Sequence, residues 1–211
     1  MIRAHFEECI GKLEKELMDM GDLVVQAIRL SMKALQTLDT GEAEKIITED
    51  KQINHMRRDM EHKCINLIAT QQPVATDLRE IISLLDIVSN LERMGDHAKG
   101  IAQIVKMNGP QPLLTPLAEI PQMADKTVDM IRKSLDAFIN RDADSATRIF
   151  NEDNTIDGLK ERVYRELFRH MVENPKATTQ ATYLIWATHN LERIADRVTN
   201  ICEQILFLVN G

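Results

Sequence analysis

The chain has 211 residues, 44% of them hydrophobic and 28% charged, a composition that suits a soluble globular protein with a buried core and excludes a disordered one. Its net charge of −7, with no basic stripe, argues against nucleic acid or an anionic membrane surface as partner. Aromatics reach only 4%, and 8 Gly and 6 Pro are too few for an all-β chain, so Leu, Ile, Ala and the 11 Met must fill a helical core.

The N-terminal MIRAHFEECI carries charges where a signal peptide would hold an apolar run, and no stretch approaches the ~18 apolar residues of a membrane span. Cys9, Cys64 and Cys202 are odd in number and lie in no C-x-x-C spacing, which suits a reducing cytosol and small core hydrophobes rather than nucleophiles. The expectation is a cytoplasmic protein.

Helical periodicity begins at once. Phe6, Ile10, Leu13, Leu17, Met20, Val24, Ile28 and Leu35 line one helix face, which ends at the turn-forming LDTG of Leu38–Gly41. A second stripe, Ile46, Ile53, Met56, Met60, Cys64 and Leu67, stops before Pro73. A third runs through Leu84, Ile87, Leu91, Met94, Ala98, Ile101 and Val105. NGPQPLLTP, from Asn108 to Pro116, then places three prolines and a glycine in nine residues and reads as a linker.

After it the order recurs. Ile120, Met123, Ile131, Leu135 and Phe138 lead to a turn at Asn140–Asp142; Ile149, Ile156, Leu159, Val163 and Leu167 lead to Glu173–Pro175; Leu184, Ala187, Leu191, Ile194, Val198, Ile201 and Ile205 follow. The chain therefore reads as all-α, a duplicated unit of three long helices: residues 1–107, a linker at 108–116, and residues 117–211. Helices of this length reach roughly 40 Å, and short connections make neighbours antiparallel, giving two tandem three-helix bundles packed side by side.

The duplication extends to charge. NLERMGDHAKG from Asn90 returns as NLERIADRVTN from Asn190, so Glu92 and Asp96, and again Glu192 and Asp196, stand four apart on one helix face, turned from the Leu91/Met94 and Leu191/Ile194 stripes. The preceding helices carry Glu49, Asp50 and Asn54, and Glu152, Asp153 and Asp157, in register at an offset of 103. Like charges four apart cost a helix ~0.2–0.5 kcal/mol. Repeating that repulsion asks for a cation. Carboxylate oxygens suit Mg²⁺, Mn²⁺, Ca²⁺ or iron, but Arg93 and Arg193 beside each Glu offer a salt-bridge network instead, and the spacing leaves both open.

These residues resemble the PhoU family, whose signature is a repeated Glu/Asp-x-x-x-Asp pattern on the second and third helices of two three-helix repeats. Glu92-x-x-x-Asp96, Glu192-x-x-x-Asp196 and Asp153-x-x-x-Asp157 match it, as does QPVATDLR at Gln72–Arg79; Asp50-x-x-x-Asn54 departs by one amide. The resemblance covers essentially the whole chain. It implies multinuclear clusters of a divalent metal, iron foremost with Mn, Mg or Zn as alternatives, held by Asp50, Asn54, Glu92 and Asp96 and by Asp153, Asp157, Glu192 and Asp196. Glu49, Glu152, Arg93 and Arg193 would be extra ligands or supporting groups. It further implies a cytoplasmic, non-enzymatic negative regulator of phosphate uptake and phosphate-starvation signalling. The implied partners are the ATPase of the phosphate ABC transporter and the phosphate-sensing histidine kinase. A homodimer is the default assembly.

Two other classes fit less of the sequence. A ferritin-like di-iron oxidase needs Glu-x-x-His facing a bundle core, but Gly95 and Ala195 stand at the His positions, and His97 and His189 are expected to turn from the carboxylate face. A structural helical adaptor with salt-bridged carboxylates and no metal remains the main alternative. No Gly-rich phosphate loop, G-x-S-x-G or nucleophile triad is present. If metal binds, the amide at Asn54 predicts that the second repeat, with four carboxylates against three, binds harder.

Overall fold

The computed structural model describes residues 2–114 and 118–211. Six helices make up nearly all of them: α1 (Ile2–Thr37), α2 (Thr40–Gln71), α3 (Thr76–Asn108), α4 (Glu119–Asn140), α5 (Ala143–Glu173) and α6 (Thr178–Asn210), with a 3-10 turn at Pro175–Ala177. Among the described residues there is no strand, and no helix is long and apolar enough to cross a membrane. Every residue of the six apolar stripes is buried save Met56, which is half-buried.

The connections repeat as the helices do. Leu38 takes a left-handed φ of 56°, and Asp39 then caps α2 by accepting the Glu42 N–H at 2.9 Å. Arg141 takes φ 56°, and Asp142 caps α5 by accepting the Ser145 N–H at 2.9 Å. Each left-handed non-glycine residue costs about 1–2 kcal/mol, and the cap beside it returns about 1 kcal/mol by satisfying a free helix donor. The α3 helix runs through Asn108, so the linker opens at Gly109, whose φ of 62° ends the helix. Of the linker expected at 108–116, Thr115 and Pro116 lie outside the described residues, as does Leu117 beyond it.

Helices α1, α2 and α3 pack on one another, as do α4, α5 and α6, and the units join where α3 meets α6 and α1 meets α4. One apolar core runs through all six. The α3–α6 seam is antiparallel: Asn200 Nδ2 donates to Asn90 Oδ1 at 3.1 Å, and His97 Nδ1 lies 3.0 Å from Asn190 Oδ1. Gly100 permits this approach, since a Cβ there would fall 2.8 Å from Asn190 Oδ1. The repeated Asn of the two motifs thus works at the seam. His97 is half-buried in it, turned from the carboxylate face as expected, with its pKa lowered by burial.

Candidate metal centres

The four-residue spacing on α3 and α6 brings each acidic pair against the helix before it, where α2 faces α3 and α5 faces α6. In the first repeat Asp50 of α2 is buried, its side chain 5% exposed, and Lys99 of α3 pairs with its Oδ2 at 2.9 Å. Asn54 Nδ2 donates to the same oxygen at 2.8 Å and to the Asp50 carbonyl at 3.1 Å. The Asn54 group facing Asp50 is therefore the amide nitrogen and not the carbonyl oxygen. Lys99 also reaches Asp96 Oδ1 at 3.5 Å, and Arg57 stands 3.7 Å from Glu92. Burial raises the pKa of Glu92, and the charge of Asp96 adds to it. Asp50 Oδ1 is buried without a hydrogen bond, beside Gly95.

In the second repeat Lys160 of α5 lies between Asp157 at 2.7 Å and Glu192 at 3.1 Å. Arg193 pairs with Asp196 at 3.0 Å and stands 3.5 Å from Glu192, whose Oε2 is buried without a hydrogen bond. His189, expected to turn away, lies 3.4 Å from that oxygen: at i,i+3 before Glu192 it shares the helix face. Burial, with the charges of Asp157, Asp196 and Glu192, pushes Asp153 up to about 6. Asp196 is raised by burial and by Glu192. Burial works against the charge on Lys160, yet its bonds to Asp157 and Glu192 outweigh that and raise its pKa.

The structure brings together Asp50, Asn54, Glu92 and Asp96, and separately Asp153, Asp157, Glu192 and Asp196, with Arg93 and Arg193 at the edges. Glu92 and Glu192 are more enclosed than outward-pointing carboxylates would be, with side chains 14% and 12% exposed, because α2 and α5 cover them. Glu152 turns instead to α4, pairing with Lys126 at 2.7 Å and Lys133 at 3.5 Å. Glu49 lines a small cleft against Leu23 and Gln26 of α1. The residues that sequence reasoning missed are the cations. Lys99 and Lys160 each follow an acid of the set by three positions, and that alternation on the carboxylate face was their signal.

As the side chains stand, no group of three His, Cys, Asp or Glu among the described residues is positioned to hold a metal ion. The donor chemistry differs between repeats. The second set fits a hard divalent cation better, with four carboxylates whose mutual repulsion raises Asp153, while a buried carboxylate oxygen without a hydrogen bond, Asp50 Oδ1 or Glu192 Oε2, is common to both sets. The first set fits poorly, because an ammonium already sits on its buried carboxylate.

The PhoU domain model matches the chain twice, at residues 17–105 and 120–205, starting points 103 residues apart like the two helix caps. A phosphate-specific transport system accessory protein PhoU homolog of Clostridium acetobutylicum is 39% identical over 212 residues, 100% of this chain and 97% of the relative. The crystal structure of PhoU from Pseudomonas aeruginosa is similar at TM-score 0.92 and 34% identity, covering 98% of this chain and 99% of that one. That of the phosphate transport system regulatory protein PhoU from Streptococcus pneumoniae is similar at TM-score 0.90 and 32% identity, covering 96% of each.

Proposed function

The chain belongs to the PhoU family, and on that premise we propose that it restrains phosphate uptake and phosphate-starvation signalling by contact with other proteins, from the cytoplasm and without turnover of its own. Relatives named as accessory and regulatory proteins of phosphate transport support the first part. The partners in this reading are the ATPase of the phosphate ABC transporter and the phosphate-sensing histidine kinase, and the working form is a homodimer. Exposed apolar side chains gather where α5 turns into α6, Phe168 and Val172 on one helix and Trp186 on the other, and such groups suit a protein-contact face.

The observation that carries the metal part is the cluster of Asp153, Asp157, Glu192 and Asp196, in which no cation stands within ion-pair distance of Asp153 among the described residues. These four would hold a divalent metal, iron foremost, or Mn, Mg or Zn, singly or in a multinuclear cluster. Such an ion supplies positive charge that ties α5 to α6. A second reading, a lysine-bridged adaptor without metal, is favoured by the Lys160 contacts to Asp157 and Glu192.

The test is a deletion strain in the native host, complemented with wild type or with the Glu192→Ala, Asp196→Ala double variant. Phosphate uptake and starvation-gene output should rise in phosphate-rich medium on deletion, and wild type should restore both. Unaltered uptake and output in the deletion strain would count against the regulatory reading. Wild-type protein purified without chelator or metal-affinity steps should carry metal that the double variant lacks; equal content would favour the lysine-bridged adaptor.

A further inference from the structure

The repeats carry matching cations at two places and differ at a third. Arg57 and Lys160 correspond at the offset of 103, and each faces the Glu of its repeat, Glu92 at 3.7 Å and Glu192 at 3.1 Å. Arg93 and Arg193 correspond at the offset of 100. Lys99 has no cationic counterpart: the same place in α6 is Thr199, whose hydroxyl donates to the Asp196 carbonyl at 2.8 Å. The first cluster thus sets Asp50, Glu92 and Asp96 against Arg57, Arg93 and Lys99, while the second sets Asp153, Asp157, Glu192 and Asp196 against Lys160 and Arg193.

We propose that Lys99 is the resident cation of the first cluster, standing where a metal would stand, so that metal loads in the second repeat alone. This rests on the metal reading above. Asp50 is the most buried carboxylate of either set, and its Oδ2 is held by both Lys99 and Asn54. A divalent ion reaching it must displace an ammonium at 2.9 Å from a site with one carboxylate fewer and one cation more than the second, one of those cations, Arg57, being shared with Glu61 at 2.8 Å. The second cluster holds two negative charges in excess and asks for the ion that the first excludes.

Calorimetric titration of the full-length, metal-stripped protein with Mn²⁺ tests this, each variant first checked for folding by circular dichroism. Wild-type binding should vanish in the Glu192→Ala, Asp196→Ala variant and persist in Asp50→Asn. Lys99→Thr should gain binding that Asp50→Asn then removes. Thr199→Lys, a change at a half-buried position that keeps the test alive if Lys99→Thr fails to fold, should weaken binding at least about tenfold. Loss of wild-type binding in Asp50→Asn, a Lys99→Thr variant that binds no more Mn²⁺ than wild type, or a Thr199→Lys variant that binds as tightly would each overturn the proposal. A wild type that takes no Mn²⁺ while Lys99→Thr does would sink the second-repeat metal reading and leave Lys99's role supported.

Discussion

Asp153 is the residue under most electrostatic tension. Burial and three neighbouring carboxylates hold its pKa at about 6, against an ordinary value of 3.8. A raised carboxyl pKa means that the fold prefers the protonated form, so the ionised form costs stability at neutral pH and the cost disappears as pH falls through 6 towards 4. One pK unit is worth about 1.4 kcal/mol, but the group is only half-buried and solvent screens it, so about 1 kcal/mol is the expected size. Asp153→Asn should therefore raise the melting temperature of the metal-stripped protein at pH 7.5 in the presence of chelator. The advantage should shrink from pH 6 downwards and be gone only below the ordinary carboxyl value of 3.8; a gain of equal size above pH 7 and below that value would show that repulsion is not its source. Saturating Mn²⁺ should erase it from the other side, by stabilising wild type through binding.

Much of this site was legible residue by residue. The acids at 50, 92, 96, 153, 157, 192 and 196 come together because a four-residue spacing on a helix face survives any packing that keeps the face. What was not legible lies between helices. Asn90 and Asn190 looked like parts of the acidic motif, yet they pair across the seam with Asn200 and His97, and nothing in helical periodicity says that α3 will lie against α6. Glu152 sits one position before Asp153, some 100° round the helix, which is enough to hand it to Lys126 of α4.

At the scale of elements, the stripes predicted six helices because each break combines a turn former with a cap. The two turns that start α2 and α5 are duplicates in mechanism as well as position, a left-handed residue followed by an Asp that accepts an N–H three residues on. Asp39→Ala should cost about 1 kcal/mol in urea unfolding, the usual worth of such a cap. Asp142→Ala should cost more, since Asp142 also accepts the Ser145 hydroxyl at 2.6 Å and sits beside Arg141. That arginine pairs with Glu14 of α1 at 2.9 Å and with Glu80 of α3, so loosening the α5 cap disturbs a tie between the repeats. Equal losses at both caps would show that the tie contributes nothing.

At the scale of the whole molecule, the two repeats are two copies in sequence but one body in packing. Helix α6 buries Leu184, Leu191, Val198 and Ile205 along one line and Thr188, Ala195 and Cys202 along another, a stripe too wide for a helix that packs only within its own three-helix unit. Helix α3 is buried as broadly, from Leu84 and Leu91 round to Val88, Gly95 and Ala102. Separating the repeats would expose both helices, so neither unit has a complete core without the other. Unfolding followed by scanning calorimetry should accordingly show one transition, with calorimetric and van't Hoff enthalpies in agreement. Gly100→Val is the probe of that coupling, because a Cβ there runs into Asn190, which is pinned by the Trp186 carbonyl at 2.9 Å and by His97 and has little room to give. Overpacking of this kind costs about 1–3 kcal/mol, or a few degrees in melting temperature for a chain of this size. The whole transition should move down as one. If instead the variant melts in two steps, with one repeat unfolding at the wild-type temperature, the repeats are independent folding units and the seam is only a docking contact.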